Sequence, residues 1–256
     1  MRRSNKRAAC AAAMLLVAGG AAVAADCRGT VYLTIDTGSM SQARLIADIL
    51  AKHSVPATFF LANEKTVQGD YSLDEGWRDF WREMAQRGYA FGSHTYDHVY
   101  FRKGDQGEHS VGVASQGPQQ GQAKVYDEKS FCAELDRVKQ RFFELAGQKL
   151  DGFWRAPGGY TTKNTLRWAE HCGYRHVGWS PAGFLGDELP SEKHSNAQLL
   201  ERSLAHIGAG DILMMHTGIW SRHETYAPTL DPLIAGLKQK GLCFATLREH
   251  PTLANR

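Results

Sequence analysis

Beyond residue 25 the chain has no uninterrupted apolar run approaching the roughly 18 residues that a membrane-spanning helix needs, so the mature protein is expected to be soluble. It has no C-x-x-C pair, which removes the common zinc–cysteine arrangements. It has no G-x-S-x-G elbow, and Ser93 has glycine on one side only, so a nucleophilic-serine hydrolase finds no support. The "GAGD" at 208–211 is too short for a nucleotide phosphate loop. No Pro/Ser-rich linker divides the chain, and one domain with one sizeable core is the default reading.

A basic surface is also missing, although the whole-chain formal charge of +3 suggests one. Arg2, Arg3, Lys6 and Arg7 precede an Ala/Leu/Val run ending in "AAVAAD", the pattern of a secretory signal peptide covering residues 1–25. Its removal leaves 26 Lys+Arg against 27 Asp+Glu over residues 26–256, a net charge of −1. Nucleic acid is therefore not an expected partner, and no stable membrane insertion is expected after cleavage. The expected location is periplasmic or secreted. Cys27, Cys132, Cys172 and Cys243 remain, an even number in an exported chain, and the preferred pairing is 27–243 with 132–172.

What is present is alternation. The short apolar runs "TVYLTI", "ATFFL", "YAFGS", "GFW", "YRHVGW", "DILMM" and "LCFATL" alternate with amphipathic stretches at about 41–53, 77–86, 131–145, 165–172, 197–206 and 230–240. About seven strands separated by helices imply an α/β fold with a parallel sheet, open or closed into a barrel. The stretch from about 99 to 129 breaks the rhythm. It is rich in Gly, Gln and Ser and reads first as a solvated, disordered insertion, with an ordered substrate clamp as the alternative.

Polar residues collect just past the C-terminal ends of these strands: Asp36 after the first, His94 and His98 after "YAFGS", Arg155 after "GFW", His216 after "DILMM". That edge is where sites are built in parallel α/β folds. In "SHTYDH" two imidazoles stand at i and i+4, the spacing that places both on one side of a helical turn to grip one cation. In "FWRAPGGY" a guanidinium is followed by a turn that exposes backbone N–H groups able to hold an oxyanion. Arg155 beside Asp36 would keep that carboxylate ionised, as a general base requires.

In this order, "TIDTG", "HTYDH", "RAPGG", the tryptophan segment "GWSPAGF" and "LMMH" resemble the polysaccharide deacetylase family, carbohydrate esterase family four, the NodB-like domain. The resemblance implies a distorted (β/α) barrel of about seven parallel strands in a single domain. It implies metal-assisted hydrolysis of an N-acetyl amide, or an O-acetyl ester, on a polysaccharide or cell-wall glycan. By the same resemblance Asp36 is the base, Arg155 its tether and His216 the acid. His94 and His98 are ligands of a divalent metal, zinc first, the Gly158 backbone N–H helps form the oxyanion hole, and Trp179 walls the acetyl pocket. Asp187 stands where an acid would orient His216, and Tyr160, Trp220 and Tyr226 are candidate stacking surfaces for sugars.

The chain departs from the family pattern at Thr37, where the family has a second aspartate as third metal ligand. A neutral hydroxyl is a poor ligand for a divalent ion. Three readings follow: a site completed by water or Asp36, a replacement ligand such as Asp97 or one from the long loop, or a metal-free protein that binds glycan without hydrolysing it.

Overall fold

In the computed structural model, which describes residues 27–253, every strand that carries a site residue ends at the same edge of one parallel sheet. The proposed leader and Cys10 lie outside the described residues. The elements are β1 (Gly29–Asp36), α1 (Ala43–His53), β2 (Thr58–Leu61), α2 (Arg78–Gln86), β3 (Ala90–Ser93), β4 (Val99–Tyr100), β5 (Asp105–Gln106), β6 (His109–Ala114), β7 (Ala123–Tyr126), α3 (Glu128–Ala146), β8 (Phe153–Trp154), α4 (Lys163–His171), β9 (Arg175–His176), α5 (Asn196–His206), β10 (Ile212–His216), α6 (Leu230–Gln239) and β11 (Leu242–Phe244).

The seven-stranded sheet runs β10-β1-β2-β3-β8-β9, with β11 beside the start of β1, and all its pairings are parallel. Residues 31–36 of β1 are buried on both faces, as expected of a strand with helices outside and packed side chains within. No regular strand joins β9 to β10. Instead the irregular segment 180–185 runs beside β10, with the Leu185 N–H donating to the Met214 carbonyl at 3.2 Å and the Met214 N–H donating to the Gly183 carbonyl at 2.9 Å. The result is the expected barrel in distorted form, about half of it regular sheet.

The helices form where periodicity and caps agree. In α3 the buried positions Phe131, Leu135, Val138, Phe142 and Leu145 make one apolar stripe. It starts at Glu128, three residues before the expected Phe131, because Asp127 accepts from the Ser130 N–H at 2.8 Å while the Ser130 hydroxyl accepts from the Asp127 N–H at 3.0 Å. Phe59, Phe91, Trp81 and Phe142 pack ring against ring between sheet and helices. No helix among the described residues is long and apolar enough to cross a membrane.

The stretch 99–129 is not a solvated loop. It is a four-stranded antiparallel sheet, with β6 pairing β4, β5 and β7. Four of its five glycines are turn residues rather than signs of mobility: Gly104, Gly107, Gly117 and Gly121 all have positive φ, which glycine adopts without steric cost, while Gly112 lies within β6. The alternating "HSVGVA" between them supplies the strand, and Val111 and Ala114 are buried.

Cys27 and Cys243 lie 5.7 Å apart at Cα, and Cys132 and Cys172 5.9 Å apart, separations that a disulfide spans. One pair joins the start of β1 to β11; the other joins α3 to the end of α4.

Candidate active site

A cleft of about 290 Å³ opens at the C-terminal edge of the sheet. Asp36, Thr37, His94, His98, Gly158, Trp179 and His216 all line it. Arg155 lies fully buried directly behind.

Asp36 ends β1 and is 2% exposed. The Arg155 Nη1 donates to its Oδ1 at 2.7 Å. The same guanidinium donates through Nε to the Val177 carbonyl and through Nη2 to the Gly178 carbonyl, and it lies over the Phe60 ring at 4.2 Å. A charge so completely tied can stand in the interior without water. Burial pushes the Asp36 carboxyl up, but the charge and hydrogen bond of the Arg155 guanidinium, with the charge of His216, outweigh it and hold the group below its ordinary value.

His216 ends β10, directly beside Asp36 in the parallel register. Asp187 accepts from its backbone N–H at 2.7 Å and meets Nδ1 at 3.2 Å. Burial alone would favour the neutral ring, yet Asp187, then Asp36 and Glu188, raise His216 to about 10. The cleft therefore sets an ionised carboxylate beside a protonated imidazole. This is a base and an acid held in opposite protonation states by their surroundings.

His94 and His98 do meet, with ring centroids 4.9 Å apart, but not on a helix. They flank a tight turn in which Thr95 and His98 have φ of 58° and 48°. The i, i+4 spacing is satisfied by that turn rather than by a helical one. Each ring is fixed through Nδ1, His94 to the Arg155 carbonyl at 2.9 Å and His98 to the Ser115 hydroxyl at 2.6 Å. The Ser115 hydroxyl in turn donates to the His98 carbonyl, so it accepts from the ring. Neither Nε2 makes a hydrogen bond among the described residues, which suits the tautomer a metal ligand needs, although His94 Nε2 faces Asp36 Oδ2 at 3.6 Å. Burial lowers His94 to about 3, which keeps its ring neutral.

Thr37 is buried, and its hydroxyl accepts from the Ala62 N–H at 2.9 Å. It adds no negative charge, and among the described residues no group of three or more His, Cys, Asp or Glu side chains is set to hold an ion. The donor set fits a divalent ion through two imidazoles and leaves the third ligand open. Asp97 is not that ligand, because Arg137 donates to it at 2.7 Å and draws it away.

Gly158 sits in a tight turn at φ 61°, where a Cβ would press on the Tyr160 ring, so only glycine leaves the backbone bare to the cleft. Trp179 lines the cleft beside it. Tyr160 does not line the cleft itself; it packs against Tyr100, and Arg102 lies over both rings. Trp220 is 61% exposed on the rim, whereas Tyr226 is buried and offers no sugar platform.

Among the lining residues that escaped the sequence reading are three that titrate, Glu64, Tyr100 and Glu188. Glu64 follows the end of β2 by three residues, so the strand-end rule that found Asp36 would have found it too. Its Oε2 is buried and has no hydrogen-bond partner among the described residues.

The polysaccharide deacetylase family model matches residues 24–177. An uncharacterized 30.6 kDa protein of Geobacillus stearothermophilus is 29% identical over 85% of this chain and 69% of its own length. A peptidoglycan N-acetylglucosamine deacetylase of Listeria monocytogenes is 26% identical over 86% of this chain; the chain spans 38% of that longer protein. Among solved structures, the Bc1960 peptidoglycan N-acetylglucosamine deacetylase superposes with a TM-score of 0.66 at 25% identity, over 86% of this chain and 87% of its own.

Proposed function

Since the chain belongs to the polysaccharide deacetylase family, we propose that it hydrolyses the N-acetyl groups of a peptidoglycan-type glycan after export to the periplasm or beyond. The observation that carries this reading is the pairing of Asp36 and His216 across adjacent strands, each with its own buried partner. A binding protein needs neither a base held ionised nor an acid held protonated in the same cleft. The leader-like residues 1–25 and the two cysteine pairs support export, with both pairs oxidised.

In this mechanism Asp36 takes a proton from the attacking water, and the water oxygen adds to the acetyl carbonyl carbon. The Gly158 turn faces the carbonyl oxygen as it gains negative charge. His216 gives its proton to the sugar nitrogen as the C–N bond breaks, so that acetate and an amine leave. A divalent ion on His94 and His98 supplies, when bound, positive charge that polarises the carbonyl and acidifies the water. Trp179 walls the acetyl group, and Trp220 offers its face to a neighbouring sugar.

A second reading is favoured by Thr37 and the missing third ligand: a glycan binder that has kept the cleft and lost the chemistry. The two separate in one assay. Purified residues 26–256 with zinc should release acetate and free amine in equal amounts from N-acetylglucosamine oligomers or peptidoglycan. Acetate without amine would make the protein an O-acetyl esterase, and binding without release would make it a lectin-like descendant.

A further inference from the structure

We infer that Glu188 is a specificity-determining residue that favours N-acetyl amides over O-acetyl esters, because it faces the nitrogen that becomes a cation when His216 gives up its proton. The inference rests on the hydrolytic reading above and narrows the substrate class of the same cleft.

His216 stands between two carboxylates that differ in burial and in the ring atom they face. Asp187 is buried and meets Nδ1 at 3.2 Å, whereas Glu188 Oε2 lies 4.0 Å from Nε2 and its side chain, 48% exposed, lines the cleft. Nε2 is thus the atom that can hand a proton to the substrate. The main chain that carries Glu188 is fixed on both sides. Asp187 accepts from the His216 N–H at 2.7 Å, the Leu189 N–H donates to the Gly186 carbonyl at 3.0 Å, and the buried Arg222 guanidinium donates to the Leu189 carbonyl. Among the described residues Glu188 has no ion pair other than that with His216, and no Lys or Arg lines the cleft to compete for it. Burial, with the charges of Asp187 and Asp36, pushes the Glu188 carboxyl above its ordinary value against the charge of His216, so further positive charge beside it is favourable.

The two leaving groups use that carboxylate differently. A nitrogen that takes the Nε2 proton comes within about 3 Å of that atom, and so enters the field of a carboxylate 4.0 Å from the same atom. In the amide intermediate the proton moves onto the sugar nitrogen, which is a cation until the C–N bonding pair returns to it as the bond breaks. The positive charge leaves the ring and stays before Glu188. In an ester the same proton goes to the departing alkoxide oxygen, a neutral alcohol forms, and Glu188 loses its cation with nothing in return. The carboxylate therefore stabilises the transition state for amide cleavage more than that for ester cleavage. Once protonated in water, the amine product makes the same charge-assisted contact.

The test uses the mature chain, residues 26–256, with zinc at pH 7, comparing wild type with Glu188→Gln and Glu188→Asp, each checked by circular dichroism for the native fold. Rates are measured on N-acetylglucosamine oligomers and on O-acetylated xylan oligomers, and calorimetry gives the affinity for fully deacetylated glucosamine oligomers. The amide-to-ester ratio of kcat/KM should fall about fivefold or more in Glu188→Gln and less in Glu188→Asp. Glucosamine oligomers should bind Glu188→Gln about fivefold or more weakly, a difference that about 0.5 M salt removes. Equal losses on amide and ester with unchanged glucosamine affinity would mean that Glu188 acts only through His216, which overturns the inference and leaves the deacetylase reading standing. Wild type that releases no acetate from either substrate overturns the deacetylase reading. The glucosamine titration then decides for Glu188 by itself, and equal affinity in the folded variant overturns its role.

Discussion

Replacing Asp187 by Asn keeps an oxygen for the His216 N–H but removes the charge that fixes the state of the ring. His216 stands at about 10, against an ordinary imidazole value of 6.5, and Asp187 is the foremost cause opposing burial. Without that charge, burial draws the ring down while Asp36 and Glu188 still draw it up. A return to about the ordinary value moves the alkaline limb of the pH–rate profile by roughly three units. At pH 8 the protonated fraction would then be about 3%, so turnover falls by about 30-fold, while the rate near pH 5.5 falls much less. The assay is acetate release from N-acetylglucosamine oligomers between pH 5 and 10. An alkaline limb that stays in place, with the rate lowered equally at all pH values, would refute the role given to Asp187 and to the charge on His216.

The same pair makes the fold pH-dependent. Because the folded value of His216 lies above its unfolded one, its stabilisation is complete below about pH 6.5 and is lost as pH rises towards 10. Urea melts of wild type should lose stability over that window, and melts of Asp187→Asn should lose less. Arg155→Met leaves the Asp36 carboxylate buried and unpaired and should cost about 3–5 kcal/mol by urea denaturation; a cost below about 1 kcal/mol would mean that Asp36 is compensated elsewhere. Trp220→Ala should raise KM for oligomers several-fold with kcat unchanged if the exposed ring carries a sugar, and an unchanged KM would remove it from the substrate path. Thiol titration of the exported, denatured, unreduced protein should find fewer than two reactive thiols per chain, and two or more would contradict the cysteine pairing.

The strand-end rule worked because β1, β3, β8 and β10 are parallel, so Asp36, His94, Arg155 and His216 had to reach one edge. That Cys27 and Cys243 lie close was legible for a related reason, since Cys27 precedes β1 and Cys243 lies in β11, the strand beside it. The insertion was misread because composition does not separate a turn glycine from a mobile one; only the alternating Val111 and Val113 between Gly107 and Gly117 carried the strand signal. Glu64, three residues past β2, lay within reach of the strand-end rule, but its unpartnered oxygen is a property of the packed chain alone. Tyr226 was misplaced because an aromatic in a loop looks the same in sequence whether it faces a sugar or the core.

The central claim is that Asp36 activates water for amide hydrolysis in this cleft. It is tested most directly by acetate release from N-acetylglucosamine oligomers at pH 7 with zinc, wild type beside Asp36→Asn, both first verified as folded. The account predicts release by wild type and a loss of about 100-fold or more in the variant, the usual contribution of a general base. Equal release by the two proteins would contradict it.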